Sequence, residues 1–172
     1  MLASCRNSPA KVYVTDSSEE VLSNLRGNVL IHQQSRAAFI RREGLEDQNA
    51  GGCEIVTSHL NWVTVTREEC LAFEADVLIA ADCLYAEDLI PGFVRTVELF
   101  LGGPSSAPET LVVCTMRSED TFATFVREIQ NETSFLKYEV VTDWAKSSFL
   151  KGGPHFMASQ SNYIFVIKIS VA

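Results

Sequence analysis

No glycine precedes position 27, no two cysteines stand at Cys-x-x-Cys spacing, and no histidine lies near a cysteine at ligand spacing. The five cysteines, Cys5, Cys53, Cys70, Cys83 and Cys114, are odd in number and scattered. Such spacing offers neither a metal site nor a disulfide framework, and it reads as reduced core thiols of the cytosol or nucleus, with the cytoplasm the expected location. Basic residues are also short. Fourteen Lys and Arg stand against 22 Asp and Glu, for a formal charge of −8. Attraction to a phosphate backbone needs a basic face, so nucleic acid is excluded as a general partner and a basic protein surface is the natural one. No apolar run approaches the roughly 20 residues of a membrane helix. The N-terminus lacks the apolar core of a signal peptide. Repeats and low-complexity tracts are missing too, and the expectation is a soluble monomer that binds no membrane.

What is present suits one domain over residues 1–172, with 47% hydrophobic residues to fill a sizeable core. Its organising stretch is Asp76-Val77-Leu78-Ile79-Ala80-Ala81-Asp82-Cys83-Leu84-Tyr85. The unbroken apolar run from Val77 to Ala81 predicts a strand covered on both faces, interior to a parallel sheet. It stops at a carboxylate. In open α/β sheets ligands sit beyond the carboxyl ends of the strands, which puts Asp82 and Tyr85 where such a fold does its chemistry. The alternative is an ordinary turn or helix-cap aspartate. A second segment, Lys11 to Asp16, has the same build, a short β-branched run ending in an acid. Two strands thus deliver an aspartate each to one edge of a sheet.

The rest of the chain supplies the other elements. Ser17, Ser18, Glu19 and Glu20 open a helix with a hydroxyl cap and first-turn acids. Val21, Leu22, Leu25 and Val29 give it a buried stripe to about His32, and Gly27 in its interior hints at close packing. Gln33 to Gly52 is polar and charged, a surface excursion with helix reaching at most Arg42. Strand character returns over Cys53 to Leu60, and Arg67 to Phe73 makes a short helical turn. Ala86 to Leu101 forms a helix with Leu89, Phe93, Val97 and Leu101 on one face and Pro91 in its first turn. A Gly, Pro and Ser loop over 102–108 leads to a strand, Thr110 to Thr115. Ser118 then opens a helix carrying Phe122, Phe125, Val126 and Ile129 inward. Strands at Tyr138–Thr142 and Asn162–Val171, separated by an irregular Asp143 to Gln160, end the chain as an antiparallel pair. The order describes an α/β sheet.

No Ser, His or Cys is placed for a nucleophilic triad, and His32, His59 and His155 give no metal set. Asp16 sits where a strand-end acid accepts hydrogen bonds from a ribose, a position normally about 20 residues after a glycine-rich turn. Only fifteen residues precede it, none a glycine. Either Asp16 is a plain helix cap or the glycine loop lies outside this sequence.

Taken together, several segments resemble the seven-strand S-adenosylmethionine-dependent methyltransferases, and within them the eukaryotic protein-lysine methyltransferase group that includes the enzyme acting on elongation factor 2. They are Val21-Leu22-x-x-Leu25-Arg26-Gly27-Asn28-Val29-Leu30, Leu60-Asn61-Trp62, Phe73-x-x-Asp76-Val77-x-Ile79-Ala80-Ala81-Asp82-x-Leu84-Tyr85, and Thr115-x-Arg117. The likeness runs over most of the chain from Lys11 and is densest from Leu60 to Tyr85. It implies a Rossmann-like sheet with an antiparallel C-terminal strand pair, and S-adenosyl-L-methionine as cofactor. It further implies that Asp16 holds the ribose, that Trp62 packs against adenine, and that Ala81 is small where the backbone nears the cofactor. Asp82 and Tyr85 would frame the slot for an incoming lysine. Asn61 stands where the group usually has Asp, and its amide oxygen still accepts a hydrogen bond from an adenine amino group.

The group's first, central strand and its glycine-rich loop have no counterpart here. The expectation is therefore the C-terminal part of a methyltransferase domain that on its own binds cofactor weakly or not at all. Two other classes remain: a catalytically inactive module that binds a basic protein, and a dinucleotide-dependent oxidoreductase, in which the Asp-x-x-Tyr element has no role.

Overall fold

Among the described residues two hydrogen-bonded sheets form, and each belongs to its own compact unit, Leu2–Asn61 and Trp62–Ala172. A computed structural model describes residues 10–44, 53–102, 109–115, 118–131, 135–141 and 164–171.

In the first unit, β1 (Lys11–Asp16) and β2 (Glu54–His59) run parallel, in register from Lys11 opposite Glu54 to Asp16 opposite His59. Parallel neighbours need a crossover, and α1 (Glu19–Glu43) supplies it. Ser18 caps the helix, its hydroxyl accepting from the Val21 N–H at 3.4 Å, and Glu19 and Glu20 occupy the positive first turn. The helix ends at Gly44, whose left-handed backbone (φ 59°) lets its N–H reach the Ile40 carbonyl. The charged excursion expected from Gln33 is therefore helical through Glu43. Gln, Arg, Ala and Glu dominate that stretch, and they are strong helix formers whatever their polarity. The buried stripe is also narrower than its spacing suggested. Leu22 is buried and Leu25 and Val29 half-buried, but Val21 faces solvent. Gly27 is not closely packed, since a Cβ there would meet nothing within 4 Å.

The second unit begins with α2 (Arg67–Leu71), started by a capping box in which Thr66 and Glu69 satisfy each other's backbone N–H. Next come β3 (Val77–Ala81), a 3-10 turn (Glu87–Leu89), α3 (Ile90–Leu101), β4 (Glu109–Thr115), α4 (Glu119–Ile129), β5 (Leu136–Val140) and β6 (Ile164–Val171). The sheet order is β3-β4-β6-β5. The β3–β4 pair is parallel, and β6 is antiparallel to both its neighbours. The antiparallel end read from the sequence is present, with the last strand inserted beside β4. One face of this sheet, carrying Ala80, Val112, Cys114, Ile167 and Ile169, packs with Phe93 and Val97 of α3 and Phe125 and Ile129 of α4. Of the stripes expected on α3 and α4, Phe93, Val97, Leu101, Phe125 and Ile129 are buried, Phe122 and Val126 are half-buried, and Leu89 is half-buried in the 3-10 turn that precedes α3, whose first turn holds Pro91.

Two expectations about β3 are corrected. It is an edge strand of its sheet, pairing only with β4 among the described residues, and its apolar run is covered on one face alone. Leu78 and Ala80 point into the core cluster, whereas Val77 and Ile79 are 48% and 57% exposed. A run of hydrophobic residues records that both faces tolerate burial and does not record what lies against them. Among the described residues β1 and β3 belong to different hydrogen-bonded sheets. The loop over 103–108, Arg117, the irregular segment from 143 and the first residues of the last expected strand lie outside the described residues.

One buried polar group in β4 has a measurable cost. The Thr110 side chain is fully buried, and its hydroxyl has no hydrogen-bond partner among the described residues. An unsatisfied buried donor costs about 1–3 kcal/mol, so Thr110→Val is expected to raise the unfolding free energy by about 1 kcal/mol. A urea titration showing an unchanged or lower midpoint would mean that the hydroxyl is satisfied.

Candidate active site

The end of β3 changes direction within one residue. Asp82 takes a left-handed backbone (φ 55°), a conformation that aspartate tolerates better than most residues and that recurs where strain serves a site. Two bonds to β4 hold it there. Its N–H donates to the Val113 carbonyl at 2.7 Å, and its Oδ1 accepts from the Thr115 N–H at 3.3 Å. The carboxylate thus extends the β3–β4 ladder by one rung and is fixed by main-chain geometry rather than by a flexible side chain. Beyond it the Cys83 thiol turns back toward the Ala81 carbonyl at 3.5 Å, Leu84 anchors the turn in the core, and Tyr85 is 59% exposed. A phenol and a fixed carboxylate therefore follow the small, exposed Ala81 at a strand's carboxyl end.

Cys114 lies on the covered face next to this corner. Burial pushes its thiol up to about 11, with Asp82 and Cys83 adding to the effect. It is a buried thiol held in its protonated form at neutral pH. Among the described residues no group of three or more His, Cys, Asp or Glu could hold a metal ion.

Trp62 belongs to the same unit. It is half-buried and packs against the core cluster to which Ala80 and Leu84 belong, its ring meeting Phe93 edge-on with centroids 5.2 Å apart at 65°. Such an aromatic pair contributes about 0.5–1.5 kcal/mol beyond the area it buries.

In the first unit, Asp16 ends β1 and its Oδ1 accepts from the Ser18 N–H at 2.8 Å. The carboxylate therefore sets the turn into α1, and the helix cap itself is Ser18. The Asp16 carbonyl accepts from the Leu60 N–H at 3.0 Å, which brings Asn61 to within one residue of the carboxyl end of the β1–β2 pair. Asp16 and Asn61 thus lie in the first unit, and Trp62, Ala81, Asp82 and Tyr85 in the second.

Sequence reasoning missed the main-chain N–H of Thr115 and the first turn of α3 behind Trp62. A backbone donor leaves no trace in composition. Thr115 stood only at the edge of a motif, and nothing in the spacing linked α3 to Trp62.

Comparison with known proteins bears on the family. A family model described as lysine methyltransferase matches residues 1–132. The mouse protein-lysine N-methyltransferase EEF2KMT is 35% identical over 130 residues, covering 74% of this chain and 37% of that protein. The human EEF2KMT is 30% identical over 131 residues, covering 74% and 38%, and the bovine one 28% over 135 residues, covering 74% and 40%. The chain spans about two fifths of the length of these curated relatives. With three quarters of its sequence inside the family model, and with Asp16, Asn61, Trp62, Ala81, Asp82 and Tyr85 all within the matched residues, the chain belongs to the lysine methyltransferase family.

Proposed function

We propose that these residues form the ribose, adenine and lysine-facing part of an S-adenosyl-L-methionine-dependent protein-lysine N-methyltransferase. The observation that carries this reading is the corner at Asp82, where a left-handed backbone and a main-chain donor fix a carboxylate at a strand end three residues before an exposed tyrosine. The residues present fit the cofactor's parts. One Asp16 oxygen is engaged by Ser18, and the second suits a ribose hydroxyl. The Asn61 amide oxygen suits the adenine amino group. Trp62 offers an indole face backed by Phe93, and Ala81 has no side chain beyond Cβ to obstruct approach.

When bound, the cofactor supplies a methyl group already activated on a sulfonium, so the protein's work is alignment and a neutral amine. Asp82 and Tyr85 frame the slot that the lysine enters. Burial lowers the amine's pKa, but a carboxylate beside it favours the ammonium. Asp82 therefore orients the amine or passes its proton to water, and it is not assigned as the base. The substrate we propose is a lysine-bearing protein, with elongation factor 2 the first to test. We further propose a monomeric, cytoplasmic methyltransferase domain whose seven-strand sheet is completed by a central strand with a glycine-rich loop that is not among the described residues. The relatives' greater length, and the edge of β3 that pairs with no other strand among the described residues, support that completion.

Labelled cofactor at high concentration, mixed with the chain and either elongation factor 2 or a cell lysate, is expected to leave label on lysine. No label from a folded protein would remove the enzymatic reading and leave an interaction module. Without the glycine cradle, the chain alone is expected to bind cofactor more weakly than micromolar, and calorimetry finding micromolar affinity would contradict the proposed completion of the sheet.

A further inference from the structure

Two glycines among the described residues lie inside helices, and their surroundings are opposite. A Cβ built on Gly27 of α1 meets nothing within 4 Å. On Gly92 of α3 it lands 3.2 Å from the Trp62 carbonyl oxygen, 3.3 Å from the Trp62 carbonyl carbon and 3.6 Å from the Trp62 Cβ. The first two distances are inside ordinary carbon contact, so any side chain at position 92 must displace the main chain of Trp62. Glycine is the poorest helix former after proline. Its place in the first turn of α3 is accounted for by this approach of two backbones.

The neighbours on the same helical turn complete the seat. The buried Thr96 hydroxyl donates to the Gly92 carbonyl at 2.8 Å and stands 3.5 Å from the Trp62 carbonyl. The Phe93 ring takes the indole edge-on, and Phe93 is itself 4% exposed and backed by Phe125 at 6.3 Å. Backbone and ring of Trp62 are thus held at separate points by one rigid turn. A shift forced on the backbone tilts the indole, because the wedged Phe93 cannot follow.

We infer that Gly92 is a positioning residue for cofactor binding: by lacking a side chain it sets where Trp62 presents its face to adenine. This rests on the adenine role proposed above for Trp62. It acts on adenosine affinity and leaves the reacting centre alone, so its substitution separates KM for cofactor from kcat.

The test uses Trp144→Phe as parent, which leaves Trp62 the only tryptophan. Its near-ultraviolet circular dichroism reports the indole's setting, and its fluorescence follows titration with S-adenosylhomocysteine. Gly92→Ala is expected to alter the tryptophan band and to raise the dissociation constant about three- to tenfold, the scale of a sub-ångström misplacement. Its melting temperature should stay within a few degrees of the parent's, and Gly27→Ala should change neither band nor affinity. Should Gly92→Ala fail to fold, Phe93→Leu, which removes the ring edge and keeps an apolar contact, is expected to move the same band and affinity in its place. A parent that responds to the ligand and a Gly92→Ala variant with identical band and affinity overturn the role of Gly92 alone. A parent whose Trp62 shows no response even at ligand concentrations far above micromolar overturns the adenine platform and the role of Gly92 with it.

Discussion

Asp82→Ala is expected to reduce methyl transfer by a hundredfold or more, about the contribution of one positioned acid–base group, while the protein still unfolds cooperatively. The geometry separates two roles that this substitution confounds. Asp82 holds a left-handed backbone, and its Oδ1 accepts the Thr115 N–H. Alanine is less tolerant of that conformation than aspartate and leaves the donor to water, at a cost of about 1 kcal/mol. Asp82→Asn discriminates: asparagine also accepts the left-handed region and keeps an acceptor oxygen for Thr115, but it carries no charge. If the charge orients the amine or receives its proton by way of water, Asp82→Asn keeps the parent's melting temperature and loses most of the rate. Were Asp82→Asn as fast as the parent, Asp82 would be a structural corner, and the lysine slot would have to be built from Tyr85 and groups not among the described residues.

Much of this corner is readable from the residues. Val77 to Ala81 has to be a strand because five consecutive apolar residues bounded by acids fit little else, and a strand that stops at Asp82 places that carboxylate at an end. The half-buried Trp62 and the helix start at Ser18 follow from equally local signals. The parts that resisted are those decided by distant chain. Whether Val77 and Ile79 are buried depends on what covers that face, and hydrophobicity cannot supply it. The extension of α1 from Gln33 to Glu43 reads only as a surface excursion partly helical to Arg42 when polarity is weighed above helix propensity, although Gly44 is a clear stop signal. The support beneath the site is the least legible of all. The Thr115 N–H belongs to the backbone, and the meeting of Gly92 with Trp62 joins positions thirty residues apart, which only packing brings together.

That support has a core residue beneath it, and removing this residue is expected to have the largest effect on stability of any single truncation considered. Phe125 is fully buried in the cluster shared by α3, α4 and the sheet, with its ring 6.3 Å from Phe93 and 6.2 Å from Phe122. Phe125→Ala removes a ring from a site walled by β4, β6 and two helices, and large-to-small changes of this kind cost about 3–5 kcal/mol where the surroundings cannot close in. Domains of this size are stable by only about 5–15 kcal/mol, so the urea midpoint should fall by about a fifth or more. Because Phe93 leans on Phe125 and Trp62 on Phe93, the near-ultraviolet signal of Trp62 should weaken in the folded baseline, before the unfolding transition begins. Phe125→Leu keeps most of the volume and should recover the greater part of both losses. A Phe125→Ala protein within 1 kcal/mol of the parent, with the tryptophan band intact, would show that α4 does not press on α3 there. The aromatic column from Phe125 through Phe93 to Trp62 would then not be what holds the indole in place.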